Sequence, residues 1–169
     1  VIPLGIHCDD FTPDPAAGQG LRARLGLAPE DIAVACIARL TPQEKFDPLP
    51  LFIAMEAASA EIATKGGGKL HLILCGQFRD DVWRAVFTDG AAELMPSVGF
   101  HLLDGGDAGE RKGTLSGADI FVFPIDNGQE TFGLAPLQAM AADLPVIVSD
   151  WHGMKDSVTP GTDFRIPTE

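Results

Sequence analysis

Positive charge is scarce in this chain. Its 169 residues carry 12 Lys and Arg against 24 Asp and Glu, a formal charge of −12. Such an excess of carboxylates argues against a nucleic-acid backbone or an anionic membrane as partner of this domain. Long apolar runs are lacking as well: none approaches the roughly 18 residues that cross a bilayer, and no signal peptide heads the chain. Cysteine is rare. Cys36 and Cys75 lie inside apolar runs, and Cys8 stands just ahead of Asp9-Asp10. An odd count without framework spacing argues against a disulfide scaffold and points to a reducing, cytoplasmic compartment.

Other absences exclude particular chemistries. The loop Arg39–Lys45 follows the first apolar run and holds no glycine. A dinucleotide-binding Gly-x-Gly-x-x-Gly turn is therefore ruled out there. Gly68-Lys69-Leu70 precedes a strand and lacks the hydroxyl of a phosphate-binding P-loop. No Asp-x-Asp or histidine cluster offers a metal site, and Asp9-Asp10, the nearest candidate, reads as a turn or a solvated pair.

What is present is the composition of an ordinary globular domain, 46% hydrophobic and 21% charged. A chain of this length is one domain that buries about 70% of its unfolded surface. It begins Val1-Ile2-Pro3-Leu4-Gly5 without an initiator methionine, and so reads as a piece of something longer.

Compact apolar runs alternate with helical spacing. Strands are expected at 32–38, 70–74, 98–103, 120–123, 146–149 and 164–166. Helices are expected at 47–65, ended by Gly66-Gly67-Gly68, and at 79–94, where Gly90 should interrupt the pattern. Further helices fall at 110–116 and 134–142, with a last turn at 153–158. Strands alternating with helices make βαβ units and a parallel sheet covered by helices on both faces. Ligands bind such sheets at the carboxyl ends of the strands. The loops after Ala38, Leu74, Leu103, Phe123 and Val148 should form one rim.

Two parts of that rim carry chemistry. Arg39 emerges at the end of the first strand and Lys45 lies just before the next helix, a candidate diphosphate clamp. The alternative is a pair of solvated surface charges, one of them paired with Glu44. The second part is Glu130-Thr131-Phe132-Gly133-Leu134, between a strand and a helix N-terminus. Free amides and the positive end of the helix dipole make that terminus an anion site. Gly133 lets backbone approach a ligand closely. Glu130 either meets the ligand or merely complements the helix dipole.

The run Asp126 to Leu134, with Pro136 to Ala142 and Leu144-Pro145-Val146, resembles the donor-site motif of the group 1 glycosyltransferases. Val1 to Gly5, Arg39-Leu40 with Lys45, Leu70 to Gly76, Asp150 to Gly153 and Phe164 to Thr168 resemble other segments of the same family. The resemblance implies a Rossmann-like three-layer α/β/α parallel sheet. That sheet would be the C-terminal, donor-binding half of a two-domain GT-B enzyme, with residues 1–169 as a fragment of it. It implies a retaining transfer of sugar from a nucleotide-diphosphate sugar, without an obligatory metal or other cofactor. The acceptor, a sugar or glycan, would be held by an N-terminal domain.

By the same resemblance Glu130 contacts the donor sugar's hydroxyls, Arg39 and Lys45 hold the diphosphate, and the amides near Phe132, Gly133 and Leu134 assist, with Thr131 beside them. His101 to Leu103 lie in the region that faces the base. Three positions depart from the family pattern. Gln138 replaces the glutamate that takes the ribose hydroxyls, and its neutral carbonyl should weaken donor binding by ~1–2 kcal/mol, about tenfold. Asp143 stands for a glycine at the end of the motif helix and should tolerate the left-handed backbone. His7 replaces an aspartate and reads as structural. The fragment alone should transfer no sugar; a non-catalytic nucleotide-sugar-binding module is the competing reading.

Overall fold

The apolar runs become six strands of one parallel sheet in the computed structural model of the chain. It describes residues 5–42, 44–45, 47–125, 127, 130, 132–158 and 164–168, with only the backbone of His152. The strands are β1 (Ile32–Leu40), β2 (Leu70–Phe78), β3 (Gly99–Asp104), β4 (Ile120–Phe123), β5 (Val146–Ser149) and β6 (Phe164–Ile166). Their order is β3-β2-β1-β4-β5-β6. All five pairings are parallel. Chain direction across the sheet reverses between β1 and β4. At such a switch point the loops leave the sheet in opposite directions and open a crevice at the carboxyl ends.

Six helices alternate with the strands: α1 (Pro15–Leu25), α2 (Leu49–Thr64), α3 (Asp81–Leu94), α4 (Ala108–Gly117), α5 (Leu134–Ala141) and α6 (His152–Ser157). A single 3-10 turn, Cys8–Phe11, precedes them and holds Asp9 and Asp10 at the surface. The core is the middle of the sheet, with Phe52, Phe87, Phe121, Leu72, Ile73 and Val146 fully enclosed. Cys36 and Cys75 are buried in it, and burial pushes their thiols up to about 12 and about 11. No helix among the described residues is long and apolar enough to cross a membrane.

Three differences from the sequence expectation have physical causes. β1 and β2 run on past their apolar cores, because Arg39 pairs with Gln77 and Leu40 with Phe78 in the ladder. Gly90 does not break α3, which is continuous from Asp81 to Leu94. A side chain there would meet Leu49 Cδ2 at 3.1 Å and the Phe52 ring at 3.4 Å, so the glycine lets α2 and α3 close on one another. That packing outweighs the ~1 kcal/mol that glycine costs a helix. The buried residues of α3 are Phe87 and Ala91, while Val82 is 70% exposed.

The third difference is α1, which the periodicity did not announce. Its punctuation was present: Asp14 accepts the Ala17 N–H at 3.0 Å as N-cap, Pro15 opens the helix, and Gly26 at φ 71° ends it. The buried face, however, offers little apolar period, since its buried residues are only Gly18 and Leu21. A Cβ on Gly18 would stand 2.2 Å from the Ser116 carbonyl oxygen, so α1 lies directly on α4.

Candidate functional site

The switch point brings together the two rim loops that carried chemistry in the sequence. Lys45 follows β1 and Glu130 follows β4; the Lys45 ammonium is paired with Glu130 Oε2. The two side chains are 17% and 13% exposed, so the pair is shielded but reachable from solvent. The other oxygen of Glu130, Oε1, accepts the Gly133 N–H at 3.0 Å. Gly133 is the N-cap of α5 at φ 73°, a conformation open to glycine at little cost. A side chain there would also meet the Met154 sulfur at 3.0 Å.

Glu130 therefore complements the N-terminus of α5 and also faces Lys45 across the two loops.

A cleft of about 330 Å³ opens at this point, lined by Arg39, Lys45, Glu130, Phe132, Gly133 and Leu134, among others. Arg39 is exposed at its edge, and no ion pair of it appears among the described residues. Two cations and one carboxylate beside a helix N-terminus make the cleft locally positive in a strongly acidic chain. A diphosphate reaching it would compete with Glu130 for Lys45. The carboxylate so released can accept hydrogen bonds from a polyol.

Gln138 is not in this cleft. It lies one turn further along α5 and lines a second cleft of about 330 Å³, with Phe11, Arg111 and Leu115. Ile37 lines both clefts, so they adjoin across β1. Arg111 drew no attention in the sequence, being one basic residue in an amphipathic helix. Its guanidinium donates to the Gly105 carbonyl at 2.6 Å. The glycine within β2 also has a reason: a Cβ on Gly76 would sit 2.0 Å from the Ala38 carbonyl oxygen. Gly76 thus lets the ends of β1 and β2 approach under the rim.

His101 corrects an expectation. It stands near the start of β3, opposite Ile73 in the register, rather than at the rim. There it stacks on His71 with ring centroids 5.2 Å apart, and its Nε2 lies 3.0 Å from His71 Nδ1. His71 Nε2 reaches Asp31 Oδ2 at 3.2 Å. The three side chains form a structural relay on the underside of the sheet. Thr131, together with Asp126, Gly128 and Gln129 of the motif, lies outside the described residues, as do Val1 to Leu4.

The cleft at the switch point of a doubly wound parallel sheet is the place where open α/β folds bind ligands. The family model "Glycosyl transferases group 1" matches residues 32–169. The chain belongs to that family. The GDP-mannose-dependent monoacylated alpha-(1-6)-phosphatidylinositol monomannoside mannosyltransferase of Corynebacterium glutamicum is 28% identical over 171 residues, 98% of this chain and 42% of the relative. The chain thus spans about two fifths of the length of that relative. Among solved structures, Anabaena HepE in complex with UDP matches with a TM-score of 0.74 at 19% identity, over 96% of this chain and 42% of the other. The C-terminal domain of a group 1 family protein (LpcC) from Francisella tularensis matches with a TM-score of 0.63 at 16% identity, over 98% and 81%. These likenesses show the Rossmann-like α/β/α fold of GT-B glycosyltransferases.

Proposed function

We propose that this chain is the donor-binding half of a retaining GT-B glycosyltransferase, and that a nucleotide-diphosphate sugar occupies the switch-point cleft. The observation that carries this reading is the meeting of Lys45 and Glu130 across β1 and β4 at the N-terminus of α5. Relatives and neighbours support the donor class: one is named as GDP-mannose-dependent, another is solved with UDP-glucose.

In the proposed reaction the bond between the anomeric carbon and the β-phosphate oxygen breaks, and the acceptor oxygen bonds to that carbon. The electron pair of the broken bond stays on the diphosphate, whose oxygen takes up the proton lost by the acceptor hydroxyl. Lys45, Arg39 and the amides at the head of α5 stabilise that charge where it develops, a preorganised electrostatic contribution. They supply the countercharge from the chain itself, so no metal or other cofactor is obligatory in this scheme. Glu130, freed from Lys45, takes the sugar hydroxyls. The nucleoside extends over Ile37 toward Gln138 and Arg111 in the adjoining cleft. The acceptor, a sugar or glycan, is held by the remainder of a longer protein, in the cytoplasm. Membrane contact, if the acceptor requires it, is made outside this domain.

Calorimetric titration of the chain with GDP-mannose, UDP-glucose and ADP-glucose, followed by a transfer assay, tests the proposal. Weak binding of one donor without turnover is expected. Failure to bind any of them would overturn it, and sugar transfer by the isolated chain would contradict the division of labour. Binding by the longer protein without transfer would favour a non-catalytic module, the reading that the Gln138 substitution supports.

A further inference from the structure

Lys45 and Glu130 sit on loops that leave neighbouring strands separately, and the ion pair between them must open when a diphosphate takes the lysine. Something else has to keep the two loops in place at that moment. Asn127 is placed to do it. Its side-chain Nδ2 donates to the backbone carbonyl of Glu44 at 2.6 Å, the residue next to Lys45. Its own backbone carbonyl accepts the Glu130 N–H at 2.9 Å and the Trp151 indole Nε1–H at 3.2 Å. Three segments, after β1, after β4 and at the head of α6, therefore meet on one residue.

We propose that Asn127 is a positioning residue that fixes the loop of Lys45 against the loop of Glu130, independently of the charge pair. The inference rests on the donor-site reading. These three bonds at Asn127 are neutral and none of them uses the Lys45 ammonium, so they persist whichever partner that ammonium has. The Lys45 N–H is itself bonded to the Thr41 carbonyl at 2.9 Å, which carries the constraint back to the end of β1. A clamp held in this way is preorganised, and ordering its loops need not be drawn from binding energy.

The test uses the chain, Asn127→Ala, and Asn127→Asp, which keeps the size but turns a carboxylate oxygen toward the Glu44 carbonyl. Amide hydrogen exchange by NMR reads the latch, and titration with GDP and UDP reads the clamp. In both variants the Lys45 and Glu130 amides should exchange about tenfold faster, the effect of one hydrogen bond of about 1.4 kcal/mol, while the Ala118 amide beneath the sheet is unchanged. Nucleotide binding should weaken about tenfold as well, and Trp151→Phe should shift both readouts in the same direction by less. Unchanged exchange at Lys45 and Glu130 overturns the proposal, and so does equal acceleration at Ala118, which marks general loosening. Faster exchange with undiminished nucleotide affinity overturns the positioning role. If the unaltered chain binds neither of these nor ADP, the donor reading falls, and the exchange pattern alone decides the latch.

Discussion

Asp143 shows how far a single residue could be read from sequence. The backbone there is left-handed, φ 58°, and it is the one described non-glycine residue with positive φ. Asp143 N–H bonds the Met140 carbonyl at 3.1 Å and Leu144 N–H bonds that of Ala139 at 3.0 Å, a Schellman cap on α5. The cap was expected because the family resemblance puts a glycine at this position, and aspartate tolerates the left-handed backbone. Replacement by glycine relieves the Cβ strain: Asp143→Gly should stabilise the chain by about 0.5–1 kcal/mol, whereas Asp143→Val should cost about 1–2 kcal/mol. Denaturant unfolding of the two variants checks both signs. The role of Glu130 was legible only as a choice between cap and ligand group. The cap is present in the structure, one carboxylate oxygen accepting the Gly133 N–H, while the other oxygen is paired with Lys45.

At the scale of elements, apolar runs located every strand, and the ends were less legible. Arg39, Gln77 and Phe78 extend β1 and β2 because each has a ladder partner on the other strand, a non-local fact. α1 was missed for the opposite reason: a helix that buries only Gly18 and Leu21 carries little apolar period. Its two glycines make a sharp contrast. Gly18→Ala drives a methyl into the Ser116 carbonyl and should cost ~1–3 kcal/mol. Gly20→Ala, two residues on with nothing within 4 Å, should instead stabilise by ~0.5–1 kcal/mol through helix propensity. Thermal melts followed by circular dichroism distinguish the two outcomes. Equal effects would mean that α1 does not lie on α4 as described.

At the scale of the whole molecule, the parallel sheet was expected but its order was not, because pairing of β1 with β4 spans more than eighty residues. That pairing makes the site. The opposite end of the sheet holds the His71–His101–Asp31 relay, which no local pattern revealed. Burial holds His71 and His101 below the ordinary value of 6.5; the bond to Asp31 opposes that effect at His71 without reversing it. The unfolded chain therefore binds protons first. Stability from this pair is complete above about pH 6.5 and is lost as pH falls from there through the depressed folded values. Asp31, held below 3.8 mainly by the Ala28 N–H, adds a loss that begins only in stronger acid. Unfolding free energy measured at pH 7.5 and 5.5 should be lower in acid. His101→Gln, which keeps a partner for His71 but removes one titrating group, should flatten the slope; an unchanged slope would contradict the assignment.

The central claim is that a nucleotide-diphosphate sugar binds where the loops after β1 and β4 meet. Titrating isotope-labelled chain with GDP-mannose or UDP-glucose and following its amide resonances tests that most directly. Shifts concentrated at Arg39, Lys45, Glu130, Gly133 and Leu134, and abolished in both Lys45→Met and Glu130→Gln, are the predicted result. Saturable shifts that cluster elsewhere, or that survive both substitutions, would contradict it.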